Sequence, residues 1–392
     1  MAQELTYQSK YTGAEIDARL EAVEKAVMTI EQTLSDSQKA QARENIDVVG
    51  GGEVADLIKF MRTEKMRREY FTITAGEDGA DIVFYCSEEA GTTKTVSVST
   101  DGGQTWTQKE SSYAGTLLAS LSAGQKMLVK GTNDAIGYFS DEEGEYIGNY
   151  FFSEDTFFVS GNIMSLLYGD SFSEKFHLSQ DNEGTFAYLF SDYYEERTGN
   201  GVDINPAAPL VLPATTLAGS CYSSMFRGCT GLTSAPLVLP ATTLADNCYG
   251  YMFRDCTGLT SAPELPATTL AGNCYNSMFE GCTGLTSAPE LPATTLADNC
   301  YGYMFRGCTG LTSAPELPAT TLADSCYGYM FRGCTGLNYV KCLATNISAS
   351  NSHNNWLSDV AASGTFVKGA GMTDWPTGAD GIPSGWTVED AA

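Results

Sequence analysis

The residues of this chain with the greatest capacity for chemistry are its twelve cysteines, ten of which recur in pairs with the spacing C-x7-C. The pairs are Cys221/Cys229, Cys248/Cys256, Cys274/Cys282, Cys300/Cys308 and Cys326/Cys334. This is not a zinc spacing, and only His177 and His353 could add imidazole ligands. In a stack of repeats the equivalent thiols would lie about 5 Å apart and line the interior as small apolar groups. We therefore expect buried free thiols, with disulfides and then metal as the alternatives.

Other residue types give little sign of catalysis. The acidic run at 141–145 lacks the alternating ligand spacing of a calcium loop and is expected to be solvated. There is no G-x-S-x-G motif, so only a pair drawn from the 48 acidic residues could act, as in glycoside hydrolysis. We expect no catalytic residues, no cofactor and no metal, and hence no enzyme.

The cysteine pairs belong to a tandem unit, CYGYMFRGCTGLTSAPELPATTLADN, whose copies step by 27, 26, 26 and 26 residues. A period of this length predicts a solenoid, whose elongated surface suits binding better than catalysis. In the stretch ADNCYGYMFRG, apolar residues at i, i+4 spacing predict a short helical turn pair that buries Cys248, Tyr249, Met252 and Phe253. The proline-flanked E-L-P-A-T-T-L stretch is expected to return in extended form.

Differences between copies collect at three sets of positions that are four residues apart, so on a helical turn they would form one exposed ridge. Tyrosines beside arginines suit stacking on sugar rings or docking on a protein. The candidate ligand contacts are Tyr251, Arg254, Asn276, Tyr303, Arg306, Tyr329 and Arg332. The alternative is neutral drift on a surface that nothing contacts.

The N-terminal segment has a heptad seam and is predicted to be a trimeric coiled coil, with an ordinary amphipathic helix as the alternative. The seam consists of Ile16, Leu20, Val23, Val27, Ile30 and Leu34. From Tyr70 onward, apolar and polar residues alternate between turn residues, which predicts a small antiparallel sandwich. Within it, S-T-D-G-G-Q-T-W (99–106) resembles the Asp-box of sialidase-like propellers, a hairpin turn that Asp101 closes and under which Trp106 packs.

These features predict a multidomain, mixed fold: an α-helical coiled coil, an antiparallel β-sandwich, and a solenoid with caps; the resemblances given below imply that the solenoid is α/β, of the leucine-rich-repeat type, and that the first segment is also an attachment segment. The expected boundaries are 1–50 for the coiled coil, 51–69 for a hinge and linker helix, 70–165 for the sandwich, 166–205 for a degenerate cap repeat, 206–338 for the solenoid, and 339–392 for the C-terminal cap.

The formal net charge of −26 argues against nucleic acid as a partner, because such affinity comes largely from Lys and Arg on phosphates. No apolar run approaches the roughly 20 residues that cross a bilayer, so membrane insertion is not expected. The first residues also lack the basic start and apolar core of a secretory signal. We expect synthesis in a host cytoplasm and release by a route other than signal-dependent secretion.

The repeat resembles the BspA-type leucine-rich repeat of Bacteroidetes surface proteins in Cys248, Met252-Phe253, Cys256, Leu259 and Leu265-Pro266. Segments 159–172 and 363–390 resemble sequences that accompany these repeats, so the likeness covers about 70–392. It implies cell-surface adhesion and no catalytic residues. The stretch YTGAEIDARLEAVEK with LSDSQKAQARENI is similar to phage fibre proteins, where it lies toward the virion-attached end.

Together these resemblances imply a structural virion fibre, on head or tail, of a phage that infects Bacteroides-like bacteria. Its expected partners are two sister chains in a homotrimer, a capsid or tail protein at the N-terminus, and a glycan or protein of the host surface. The alternatives are a BspA-like bacterial surface adhesin and a glycan depolymerase.

Overall fold

A computed structural model describes residues 65–87, 93–140, 145–191, 200–204, 208–236 and 238–391. Strands account for 25% of the structure and helix for 5%. Only one α-helix has its bounds within the described residues, the four-residue α1 (Ser165–Tyr168). The predicted mixed α/β class, with a helical N-terminus and an α/β solenoid, is therefore wrong. The described residues contain no coiled coil, and the seam from Ile16 to Leu34 lies outside them.

The strands follow one another in short elements. They are β1 (Phe71–Ala75), β2 (Ala80–Cys86), β3 (Thr95–Ser99), β4 (Thr107–Glu110), β5 (Thr116–Leu121), β6 (Lys126–Lys130), β7 (Tyr138–Ser140), β8 (Glu145–Ile147), β9 (Asn149–Phe152), β10 (Phe157–Asn162), β11 (Val202–Ile204), β12 (Leu210–Val211), β13 (Tyr339–Cys342), β14 (Thr365–Lys368) and β15 (Thr387–Asp390). Two 3₁₀ turns, Gly169–Glu174 and Gln180–Asn182, follow α1.

Two sheets pack face to face in the N-terminal part of the described chain. One has seven strands in the order β11-β10-β1-β6-β3-β4, with β12 also on β10, and the other has the order β5-β2-β9. Phe71 of the first sheet contacts Phe151 of the second, with ring centroids 5.6 Å apart, and Phe84 stacks on Phe151 at 4.8 Å. The alternating segments read from the sequence do form β1, β2, β3, β4 and β6. The larger sheet also includes β11 and β12, beyond the expected boundary at 165.

The turn between β3 and β4 has the geometry predicted from the Asp-box motif. Asp101 accepts hydrogen bonds from the Ser99 hydroxyl at 2.7 Å and from the Thr105 hydroxyl at 2.6 Å. The Trp106 indole donates to the Gly103 carbonyl at 3.1 Å and packs edge-on against Tyr70. Asp101 therefore closes the loop as a structural residue.

The repeats form a stack of seven layers, each containing one turn segment. These segments are 184–191, 219–228, 246–255, 272–281, 298–307, 324–333 and 350–359, numbered here as layers 1 to 7. In layer 3 the amides of Tyr249, Tyr251 and Phe253 donate to carbonyls of layer 4 at 2.8–3.0 Å. The intervening amides donate within the layer, from Gly250 to the Asn247 carbonyl and from Arg254 to the Tyr251 carbonyl. Alternate peptide groups thus hold the turn and join the layers.

The helical turn pair predicted for each repeat is wrong because every fourth residue is in the left-handed region. In layer 3 these residues are Asn247, Tyr251 and Asp255, with φ of 56°, 60° and 61°. An α-helix of L-residues does not tolerate such angles. The i, i+4 spacing nevertheless buries the predicted side chains, because successive turns face the same way: Cys248, Tyr249, Met252 and Phe253 are at most 1% exposed.

Side chains of equivalent positions form continuous columns through the core. Phe226, Phe253, Phe279, Phe305 and Phe331 stack with centroids 5.6–5.7 Å apart. A parallel column of tyrosines runs from Tyr222 to Tyr327 and ends on Trp356, which stacks on Trp375 at 5.2 Å. The Trp-bearing tail, with the parallel sheet β13-β14-β15, therefore covers the C-terminal end of the core.

All twelve cysteines are buried thiols, which confirms the predicted burial. The thiols of Cys256, Cys282 and Cys334 each donate to a phenylalanine carbonyl of the preceding layer at 2.9–3.0 Å. Burial raises the pKa of Cys334 to about 12 and that of Cys256 and Cys282 well above the ordinary value. These thiols are un-ionised at neutral pH, and the thiolate is the nucleophilic form.

We predict that a thiol reagent such as dithionitrobenzoate will modify none of the cysteines in the native chain and all twelve after unfolding, since every one of them is buried away from the reagent. Absorbance of the released chromophore measures the count with and without guanidinium. Rapid modification in the native state would contradict the packing of the two cysteine columns.

We predict that Asp101→Asn will lower the thermal unfolding midpoint, because its carboxylate accepts several hydrogen bonds in one turn. Bonds from Thr105, with a further one from Ser99, lower the pKa of Asp101 below its ordinary 3.8. A lowered pKa stabilises the fold above 3.8, and this stabilisation is lost as the pH falls through the folded-state value. Scans at neutral and acid pH should therefore show the gap between variant and wild type narrowing in acid; a constant gap would contradict this.

Candidate functional site

The variable ridge of the repeats consists of left-handed turn residues rather than one face of a helix. At the central turn position the layers carry Tyr188, Ser224, Tyr251, Ser277, Tyr303, Tyr329 and Asn355, all with φ between 49° and 60°. Positive φ is common for Asn but is an outlier for a bulky side chain. Four of the layers nevertheless have tyrosine at this position, where other layers have Ser or Asn. The surroundings of these tyrosines are therefore of interest.

The structure brings two of the predicted tyrosines together. Tyr303 and Tyr329, in layers 5 and 6, stack with centroids 4.7 Å apart and an interplanar angle of 9°. The Asn354 amide donates to the Tyr329 hydroxyl at 3.3 Å. Partial burial and the neighbouring Tyr329 raise the pKa of the Tyr303 phenol. The stacked pair presents a flat aromatic surface.

The other predicted residues have partners within the chain. Tyr251 is separated from Tyr303 by the layer of Ser277, and Asn276 is only 5% exposed. Glu280 of layer 4 accepts ion pairs from Arg254 of layer 3 at 3.5 Å and from Arg306 of layer 5 at 3.2 Å. Arg332 lies 3.8 Å from Asp359 of layer 7. The arginines therefore contribute first to contacts between layers.

A groove of about 440 Å³ runs beside the tyrosine pair. The walls and floor come from layers 5, 6 and 7: Asp298, Asn299, Tyr303, Asp324, Ser325, Gly328, Tyr329, Asn351 and Asn354. Neither Arg306 nor Arg332 lines it. Sequence reasoning placed Asp298/Asn299 and Asp324/Ser325 among the variable positions but did not select them as ligand contacts. Their place on the variable ridge was the signal that could have found them.

A second groove of about 540 Å³ lies among the proline-flanked segments. Its lining includes Pro289, Leu291, Pro292, Pro315 and Glu316, and the motif T-S-A-P-E-L-P that supplies them recurs in other copies. Because these residues barely differ between repeats, this groove has little to distinguish one layer from another. The groove at the tyrosine pair, whose lining varies, is the better candidate site.

No protein-family model, curated protein or solved structure matches this chain. In the described residues, no helix has the length and apolar character needed to cross a membrane. The same part of the chain has no group of three or more His, Cys, Asp or Glu side chains arranged to hold a metal ion.

We predict that Glu280→Arg will destabilise the stack by about 1–3 kcal/mol, although Arg is the residue at this position in four other copies. Three adjacent layers would then carry like charges around a site where Glu280 is 8% exposed. Urea unfolding measures the change. Glu280→Gln is the matched control, and its loss should be smaller, about 1 kcal/mol. An arginine variant as stable as wild type would support neutral drift at this position.

Proposed function

We propose that this chain is a non-enzymatic virion fibre, on the head or tail of a phage, that binds the surface of its bacterial host through the repeat stack. The observation that carries the proposal is the Tyr303–Tyr329 pair, held at positive φ beside a polar groove. A surface aromatic in an unfavourable backbone conformation indicates a functional constraint. Such pairs with polar neighbours suit recognition of sugars or proteins.

The N-terminal motif supports the placement on a virion. LSDSQKAQARENI is similar to the attachment-proximal segment of phage fibre proteins, so a capsid or tail protein is the proposed partner at that end and a homotrimer the proposed assembly. Three copies would multiply a weak contact of each stack through avidity. The net charge of −26 makes hydrogen bonding and stacking, rather than charge attraction, the proposed mode of host contact.

Two alternatives keep specific support. The BspA-like repeat pattern favours a bacterial surface adhesin, which would share the binding surface but not the virion. Asp298 and Asp324 both line the groove, and a carboxylate pair is the requirement of a glycan depolymerase. Release of reducing ends from host capsule would support that enzyme.

We predict that the fluorescently labelled full chain will bind saturably to some strains in a panel of Bacteroides cells, and that unlabelled chain will compete. Flow cytometry measures the binding, and the heat-unfolded chain is the control. Antibodies to the chain should also label phage particles in lysates of the strains that bind. Binding to no strain would contradict host adhesion, whereas cell binding without labelled particles would favour the adhesin.

A further inference from the structure

The groove beside Tyr303 and Tyr329 has the chemistry of a site for one particular class of ligand. We infer that it takes a neutral saccharide of one or two units, and this inference rests on the proposed function, because it names the host component that the repeats contact.

The floor is kept open by glycine, and backbone conformation does not require it there. Gly328 is not at positive φ, and a Cβ on it would lie 3.3 Å from the Ser325 carbonyl oxygen, a tight but adjustable contact. At the equivalent position layers 4 and 7 carry Asn276 and Asn354, so this backbone accepts a side chain. Glycine in layer 6 therefore provides space beside Tyr329.

Of those two asparagines, Asn354 of layer 7 lines the groove and donates to the Tyr329 hydroxyl, while Asn276 of layer 4 does not line it. In layer 5 the Asn299 side chain lies over Gly302, where a Cβ would be 2.1 Å from its Oδ1 atom. No side chain lies over Gly328 in this way: the atoms nearest to a Cβ there are the carbonyl oxygens of Ser325 and Asn351, at 3.3 and 3.6 Å. The groove volume of about 440 Å³ suits a small ligand.

The polar wall consists of carboxylate, amide and hydroxyl groups. The Asp324 carboxylate is oriented by the Ser350 amide, which donates to its Oδ1 atom at 2.8 Å. Asp298, Asn299 and Asn351 also line the groove and add acceptors and donors to it. Sugar hydroxyls donate and accept hydrogen bonds, so they match such a wall. Two carboxylates with no lining arginine disfavour acidic sugars, and the net charge acts in the same direction.

The aromatic wall supplies the apolar contact that a sugar ring needs. Ser224 and Ser277 hold the same turn position with φ of 55° and 52°, so the fold does not require tyrosine there. Tyrosine presents a large, rigid contact area with a polar tip. The groove therefore combines a flat aromatic wall with hydrogen-bonding groups, and apolar peptides would leave the carboxylates and amides of the other wall unpaired.

The test is binding of neutral methyl glycosides and disaccharides (glucose, galactose, mannose, fucose, N-acetylglucosamine) to the full chain, by saturation-transfer NMR and then calorimetry. Glucuronic and sialic acids are the acidic probes. At least one neutral probe should bind, and the acidic probes should not. Gly328→Asn, which copies layers 4 and 7, and the double variant Tyr303→Ser/Tyr329→Ser, which copies layers 2 and 4, should each weaken binding at least about tenfold.

Gly250→Asn in layer 3 introduces the same residue outside the groove. The end of the Asn247 side chain, 2.1 Å from the added Cβ, must move aside there, and saccharide binding should be unchanged. Near-UV circular dichroism and thermal unfolding check that each variant folds. If Gly328→Asn does not fold, the double variant Tyr303→Ser/Tyr329→Ser tests the site on its own. Cell binding by the wild type without binding of any neutral probe would overturn the saccharide site while leaving host adhesion standing. Equal loss in the layer 3 control, unchanged binding in the groove variants, or preference for acidic sugars would also overturn it.

Discussion

The repeats depend on one constraint: alternate backbone amides form hydrogen bonds within a layer and between layers. One amide closes a turn within its layer and the next bonds to the following layer, as Gly250 and Tyr251 illustrate. Because buried backbone groups must be paired, this alternation fixes the register between layers. Equivalent side chains then fall into columns, which is why the phenylalanine rings repeat every 5.6–5.7 Å. A one-residue slip in any layer would break both sets of bonds and turn the core side chains outward.

The period, the buried cysteine columns, the alternating strands and the Asp-box turn could all be predicted from the sequence, because each depends on local spacing. The left-handed turns could not, since a four-residue spacing of buried side chains fits an α-helix and a chain of left-handed turns equally well. The distinguishing signal is Asn, Ser, Gly or Asp at every fourth position, such as Asn247 and Asp255, because these residues tolerate positive φ. Tyrosine at position 251 conceals that signal.

For the candidate site, the sequence indicated the variable positions but not which of them meet. Tyr303 and Tyr329 stack because they lie in successive layers. Tyr251 does not join them, because the layer between it and Tyr303 carries Ser277 at this position. Asp298 and Asp324 were not selected as ligand contacts because their role depends on the side to which the turn directs them. The arginines, read as ligand contacts, instead meet Glu280 between layers. Part of the variation between copies is therefore a matched set of charges within the stack.

The variation between copies that these ion pairs do not explain includes the central turn position of each layer. The backbone of each layer offers the same left-handed position, and a small polar residue fills it at little cost, as in Ser224 and Ser277. Tyrosine there is unfavourable for the backbone, and in layers 3, 5 and 6 it follows a glycine. In layers 3 and 5 an asparagine side chain, Asn247 or Asn299, lies over that glycine. In layer 6 no side chain lies over Gly328, which lines the groove beside Tyr329. The glycine-tyrosine pair alone therefore does not distinguish a contact surface from drift, whereas its combination with the stacked Tyr303 ring and the polar lining does. The hydrogen-bonded ladder keeps that groove in place whatever side chains occupy the turns.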